Sequence, residues 1–212
     1  VNQEVNAFST YHIDYLSKFI TLSICAFGVL ISLYSLLYVT RQLKIRNYYA
    51  YFLLMLGLSA GAALTDNLLM FLFFWGILSL TLYKLIRGDD RESSEAAKKS
   101  LIMIGSSDGI MIIGIALLWN AYGTLSISEL RVPTTSPAMV IAFLSLLIGS
   151  FTKAGAFPFH TWIPDYVKKA PASSSAYLPA SLDKLLGIYF LARICIDMFT
   201  LNQWLTFTML LL

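Results

Sequence analysis

The sequence predicts an all-α fold, a polytopic bundle of membrane-spanning helices in which one transmembrane helix is broken. Of its 212 residues, 58% are hydrophobic and only 13% are charged, and the mean hydropathy is +0.71. A soluble domain carries about 25% charged residues, so this chain has too little polar surface to cover a globule in water. The apolar residues fall in runs of about 20, the length of a helix that crosses a bilayer. A lysine, a glycine and a proline interrupt one of these runs.

The first three apolar runs predict helices over 17–40, 48–64 and 67–86. The first run follows the polar opening segment VNQEVNAFST, and a basic segment separates it from the second run. A Thr-Asp dipeptide then separates the second run from the third. Each run is close to the length needed to cross the hydrocarbon core.

The next helices are predicted over 99–119, 138–160 and 173–196, and 203–212 begins a further apolar run. The fourth helix follows a charged, solvated segment in which Ser93 or Ser94 is the expected N-terminal cap. The fifth is expected to be broken. We expect residues 1–212 to form a single membrane domain that is part of a larger membrane protein.

The break in the fifth helix coincides with a charge. Lys153 lies in an otherwise apolar stretch, where a charged side chain costs roughly 2.5–3.5 kcal/mol on insertion scales. Gly155 and Pro158 follow it, and a proline removes a backbone donor and clashes with the carbonyl four residues earlier. A lysine beside a helix break at membrane depth indicates an ion or proton site.

Basic residues in the connecting segments predict the orientation in the membrane. With alternating spans, one side receives nine lysine and arginine residues and the other side receives three. The positive-inside rule therefore places the segments 41–47, 87–98 and 161–172 on the cytoplasmic side. The N-terminus and the segment 120–137 are then outside. We expect the chain to lie in the inner membrane of a prokaryotic cell.

Four segments, in the same order, resemble one family of membrane proteins. YHIDYLSKFI (11–20) is similar to its F-x-I-D-x-L-S stretch, and LTDNLLMFLFFWGILSLTLYKLI (64–86) to its DNLL…FWE helix. The segment 91–130 is similar to its EAA-K…GD-x-G…GTL region, and 152–193 contains its central motif, TKAGAFPFHTWIPD. The chain is identified as a member of the antiporter-like membrane subunits of respiratory complex I, membrane-bound hydrogenases, formate hydrogenlyases and Mrp-type cation/proton antiporters.

This resemblance implies a bundle of about fourteen helices built from two inverted five-helix repeats, of which the chain contains about one. Inverted repeats with discontinuous helices place a polar site near the middle of the membrane. In the family a glutamate of the FWE helix pairs with a lysine of the broken helix, and Lys153 matches that lysine. A second lysine, on the following helix, passes protons onward.

The family's glutamate is missing, because Gly76 stands at its position. We expect another carboxylate to partner Lys153, either Asp108 or Asp183. Asp108 has small neighbours that permit close packing and entry of water, but it is equally suited to a structural hydrogen bond at a helix crossing. The alternative is that the first half-channel does not conduct.

Three further residues are candidates for the ion path. Lys184 lies one position before the family's second lysine, and Asp183 beside it is either part of the path or a neutralising partner. His160 follows the break, and histidine is a common proton shuttle in proteins, so His160 is either a proton entry relay or a hydrogen-bonding partner of a loop.

The function expected from these residues is translocation of H⁺ or Na⁺ by a subunit of a redox-driven membrane complex. The alternative with the same fold is a structural, connecting module. A membrane enzyme lacks support, because the sequence has no nucleophile–base pair, metal-ligand cluster or phosphate-binding loop. We expect no cofactor in this chain. The expected partners are other membrane subunits, the lipid bilayer and the ion; the net charge of +3 is small, and no nucleic acid is expected.

Overall fold

The computed structural model describes residues 11–38, 45–87, 90–169 and 183–211, and most of them are helical. The helices are α1 (Tyr15–Tyr38), α2 (Ile45–Leu64), α3 (Leu68–Ile86), α4 (Arg91–Tyr122), α5 (Pro137–Ala154), α6 (Trp162–Lys169), α7 (Asp183–Ala192) and α8 (Gln203–Leu211). A π-helical segment, Arg193–Met198, continues α7. Two short parallel strands, β1 (Val132–Pro133) and β2 (Phe199–Thr200), pair with each other.

Among the described residues, the five helices α1 to α5 are long and apolar enough to cross a membrane. The expected all-α membrane bundle is thus confirmed, and the bounds of α1, α2 and α3 lie within three residues of the predicted ones. Of the predicted sixth helix, the structure describes the part from Asp183 onward, and its earlier part lies outside the described residues.

The charged segment before α4 differs from the prediction, because most of it is helical. Asp90 is the N-cap, and its carboxylate accepts hydrogen bonds from the Ser93 backbone N–H (2.7 Å) and hydroxyl (2.6 Å). The predicted caps, Ser93 and Ser94, lie inside the helix. The aspartate satisfies an N–H group that the first helical turn would otherwise leave unpaired, so α4 extends about two turns beyond its apolar part. The segment 161–172 likewise contains α6.

The predicted break in the fifth helix is confirmed between α5 and α6. Gly155 ends α5 in the left-handed conformation (φ 68°) and donates its N–H to the carbonyls of Phe151 and Thr152. This conformation suits glycine because it has no Cβ. The indole of Trp162, the first residue of α6, donates to the Thr152 carbonyl at 3.0 Å. The last turn of α5 is therefore closed by groups on both sides of the break, and Pro158 lies in the turn between them.

Helix α5 is the most buried of the five long helices, and it packs against α4 and, near its end, against α7. Gly187 of α7 makes this close approach possible: a Cβ at this position would lie 2.6 Å from the Ala154 backbone nitrogen. The Ser150 hydroxyl donates to the Gly187 carbonyl at 2.7 Å. Because buried helices in a membrane approach most closely through small residues, this contact fixes α7 against the last turn of α5.

We predict that Gly187→Ala lowers the thermal unfolding midpoint, because the new Cβ meets backbone atoms of Ala154 that cannot rotate away. Overpacking of this kind costs about 1–3 kcal/mol. Differential scanning fluorimetry of the full-length protein in nanodiscs measures the change. Gly105→Ala is the matched control, since a Cβ there has no atom within 4 Å. Equal unfolding midpoints for the two variants would contradict the predicted steric overlap between the new Cβ and Ala154.

Candidate functional site

Lys153 lies in the last turn of α5 and is completely buried. Its Nζ donates to the backbone carbonyl of Trp75 at 2.7 Å and to the hydroxyl of Ser79 at 3.3 Å. The same Nζ lies 4.3 Å from the centre of the Trp75 ring, within the range of a cation–π interaction. The ammonium group therefore contacts neutral dipoles and an aromatic face of α3.

Asp108 approaches the same two residues from α4. Its Oδ1 accepts a hydrogen bond from the Trp75 indole N–H at 2.9 Å, and its Oδ2 accepts one from the Ser79 hydroxyl at 3.0 Å. Trp75 and Ser79 are four residues apart, so they share a face of α3. They therefore contact both the lysine of α5 and the carboxylate of α4.

The Ser79 hydroxyl joins the two charged groups. It accepts from Lys153, and its single proton can be donated either to Asp108 or to the Trp75 carbonyl, which lies 3.1 Å away. A hydroxyl accepts and donates at the same time. When its proton is directed to Asp108, a continuous hydrogen-bond chain runs from the ammonium to the carboxylate, and when it is directed to Trp75 the chain is interrupted.

Gly76 is half-buried, and a Cβ at this position would have no atom within 4 Å. On a helix, residue 76 is turned by about 100° from residue 75. It is also three residues from Ser79 and therefore lies beside it on the helix surface, so a side chain at position 76 would extend into open space next to Ser79. Among the described residues, Asp108 is the carboxylate that a hydrogen-bond path through Ser79 connects to Lys153.

Among the described residues, no contact joins the remaining sequence candidates to Lys153, Ser79 or Asp108. Lys184 is half-buried in the first turn of α7. Asp183 begins α7, but its side chain lies outside the described residues. His160 is exposed in the turn after the break, where its ring packs against Phe157 with 5.9 Å between the ring centres.

Beside His160, an ion pair connects α6 to the first part of α4. Lys99 donates to the Asp165 carboxylate at 2.5 Å and to the Thr161 carbonyl at 3.2 Å. The hydrogen bond from Lys99 lowers the pKa of Asp165 below its usual value. Solvent screens such an exposed pair, so its main effect is to place the turn after the break against α4.

Sequence reasoning identified Lys153 and Asp108 but not Ser79 and Trp75. Both are buried, and both flank the position of the missing glutamate in FFWGILSL. The signal that was available is their spacing of four residues, which places a hydroxyl and an indole N–H on one face of an apolar helix. A buried hydroxyl on that face needs a partner.

Curated relatives match most of the chain. It is 34% identical over 192 residues to a Na(+)/H(+) antiporter subunit of Alkalihalophilus pseudofirmus, covering 87% of this chain and 24% of that protein. It is 37% identical over 170 residues to a Na(+)/H(+) antiporter subunit of Staphylococcus saprophyticus, covering 77% of this chain and 21% of that protein. The chain thus spans about a quarter of the length of these relatives.

Solved structures share the fold. A chain of respiratory complex I from Thermus thermophilus superposes with a TM-score of 0.77 at 27% identity, over 88% of this chain and 42% of that chain. A chain of the Mrp complex from Dietzia sp. gives 0.75 at 25% identity, over 84% of this chain and 20% of that chain.

A family model described as "NADH:quinone oxidoreductase/Mrp antiporter, TM" matches residues 65–212. The matched range contains α3 to α8, and with them the broken helix, Lys153 and the two residues that join it to Asp108. The chain therefore belongs to the family of NADH:quinone oxidoreductase and Mrp antiporter transmembrane subunits.

Proposed function

We propose that this chain is an ion-translocating part of an antiporter-like membrane subunit, in which protons pass between Lys153 and Asp108 through Ser79. The observation that carries the proposal is the hydrogen-bond chain from the Lys153 ammonium through the Ser79 hydroxyl to the Asp108 carboxylate. The names of its relatives, which are Na⁺/H⁺ antiporter subunits, support transport of protons in exchange for a cation.

The transfer step follows from the protonation states of the three groups. The ammonium of Lys153 gives a proton to the Ser79 oxygen while the Ser79 proton moves to Asp108. The products are a neutral amine and a neutral carboxylic acid, and the serine is unchanged. Because isolated charges are costly in a low-dielectric interior, removing both charges in one step avoids leaving either of them alone.

The second orientation of Ser79 supplies a way to stop the transfer. When the hydroxyl donates to the Trp75 carbonyl, it no longer donates to Asp108, and the proton path is interrupted at Ser79. A hydroxyl rotation is fast compared with movements of helices. The slower step that decides which side supplies or receives the proton therefore lies elsewhere in the transporter.

The natural partners of this module are other membrane subunits of a multi-subunit, redox-driven complex in a prokaryotic inner membrane, with the α6 end on the cytoplasmic side. The chains with the same fold in complex I and in the Mrp complex belong to multi-subunit assemblies. The basic residues near α6 and the start of α4 support this orientation.

One observation favours a second candidate, a connecting module whose first half-channel does not conduct. Gly76 replaces the carboxylate that the family resemblance places on α3. In this alternative the buried Lys153 and Asp108 form a structural link between α5, α3 and α4. The two candidates share the fold and differ in whether the link carries protons.

We predict that Ser79→Ala reduces coupled proton transport by at least about tenfold, because it removes the hydroxyl between Lys153 and Asp108; acid–base groups commonly contribute more than this. Ser79→Thr, which keeps a hydroxyl, should retain most of the transport. The measurement is proton flux in proteoliposomes that contain the complete complex.

Ser100→Ala is the matched control, since Ser100 is also buried and donates to the Ala96 carbonyl of its own helix. Lys153→Met and Asp108→Asn should both lose transport. If Ser79→Ala and Asp108→Asn transport at the rate of the unmodified complex, the proton path is wrong.

We further predict that Gly76→Glu leaves transport unchanged or lowers it. A glutamate at this position would extend into open space beside Ser79, whose hydroxyl already donates to Asp108, so it would add a second carboxylate to a path that is already connected. The same flux assay tests this. A marked increase in transport by Gly76→Glu, with no effect of Asp108→Asn, would instead favour the connecting module with a non-conducting half-channel.

A further inference from the structure

Trp162 contacts the last turn of α5 from the other side of the break. It is the first residue of α6 and is completely buried, and its indole N–H donates to the Thr152 carbonyl at 3.0 Å. Its ring also packs against that of Tyr166, one turn later on α6, with 6.2 Å between the ring centres. The indole therefore belongs to the buried face of α6 and binds the backbone next to Lys153.

The carbonyl that the indole binds lies where the regular hydrogen bonds of α5 end. Ala156 donates its N–H to the Phe151 carbonyl at 2.9 Å, and Gly155 donates its N–H to the Thr152 carbonyl at 3.2 Å. This is the pattern of a helix that ends in a left-handed glycine. A carbonyl oxygen accepts two hydrogen bonds, so the indole is a second donor to a carbonyl whose backbone donor is long.

The orientation of the Thr152 carbonyl also sets the direction of the Lys153 side chain. Because a peptide unit is planar, fixing this carbonyl fixes the Lys153 backbone nitrogen, and with it the direction in which the side chain leaves the helix. The Nζ is 2.7 Å from the Trp75 carbonyl and 3.3 Å from the Ser79 hydroxyl. The longer distance leaves little margin for a hydrogen bond, so a small rotation of this peptide unit would lose it.

Contacts other than the indole hydrogen bond hold α6 in place. Lys99 of α4 donates to the Thr161 carbonyl at 3.2 Å and to the Asp165 carboxylate at 2.5 Å. Ile163 fills the space beside Gly155 in which a Cβ would lie. The indole is therefore presented by a helix with its own attachments. Loss of the indole N–H would remove one hydrogen bond and leave α6 where it is.

We propose that Trp162 is a positioning residue for Lys153: its indole N–H orients the end of α5 so that the ammonium reaches Trp75 and Ser79. The proposal rests on the proton path through Ser79 for its effect on transport. Its geometric part, the dependence of the contact between Lys153 and Trp75 on the indole N–H, does not require that path.

The test replaces Trp162 in the complete complex with benzothienylalanine, introduced by nonsense suppression, which keeps the shape of the indole and has no N–H. Proton flux in proteoliposomes should fall by at least about threefold, as expected for loss of one hydrogen bond. The same replacement at Trp119, which is exposed on α4, is the matched control and should leave the flux unchanged. Trp162→Phe is a second variant that removes the N–H, and it should also lower the flux.

A solid-state magnetic-resonance measurement follows the position of Lys153 without transport. With ¹⁵N at the lysine Nζ and ¹³C at the tryptophan carbonyls, dipolar dephasing detects the contact between Lys153 and the Trp75 carbonyl. Its disappearance in Lys153→Met identifies the signal. Benzothienylalanine at position 162 should abolish most of this dephasing. Ser79→Ala retains the Trp75 carbonyl and should retain the dephasing.

Unchanged dephasing in both Trp162 variants would overturn the proposal, even if the unfolding midpoint falls, because the indole would then have a structural role alone. Lost dephasing together with normal transport by Ser79→Ala would support the positioning role and contradict the proton path. The two proposals are thus tested separately.

Discussion

The arrangement of this bundle depends on how the charge of Lys153 is accommodated at membrane depth. The ammonium lies in the last turn of α5, where the carbonyl ends of a helix favour a positive charge. It also contacts the carbonyl and ring of Trp75. The break at Gly155 therefore does more than interrupt a helix, because it brings the negative end of the helix dipole to the buried lysine. The lysine and the break act together, and Gly187 then fixes α7 against the same turn.

The position of Ser79 between Lys153 and Asp108 explains how the site is built without an acid at position 76. A carboxylate on α3 would be on the same helix as Trp75 and Ser79, whereas Asp108 reaches these residues from α4. The hydroxyl links the two charged groups through hydrogen bonds without a direct contact between them. A direct pair buried in apolar surroundings would hold its proton and its geometry more tightly. An intervening hydroxyl makes the connection adjustable.

Hydropathy predicted the spans because about 20 apolar residues in sequence have few alternatives to a transmembrane helix. It placed the start of α4 too late, since Asp90 and the charged first turns continue the helix beyond its apolar part. The cost of buried charge identified Lys153 and Asp108. Ser79 and Trp75 are neutral and carry no such cost, so the sequence signals them only through their four-residue spacing on one face of the helix. The ion pair between Asp14 and Arg193 was not predicted, because the two residues are 179 positions apart in the chain.

Trp75 connects these features physically. Its ring and carbonyl contact Lys153, its indole N–H donates to Asp108, and its ring also packs against Phe71 and Phe190. Any displacement of Trp75 would therefore remove a hydrogen bond from Asp108 and the aromatic face from Lys153. The surroundings of both charged groups thus depend on one side chain.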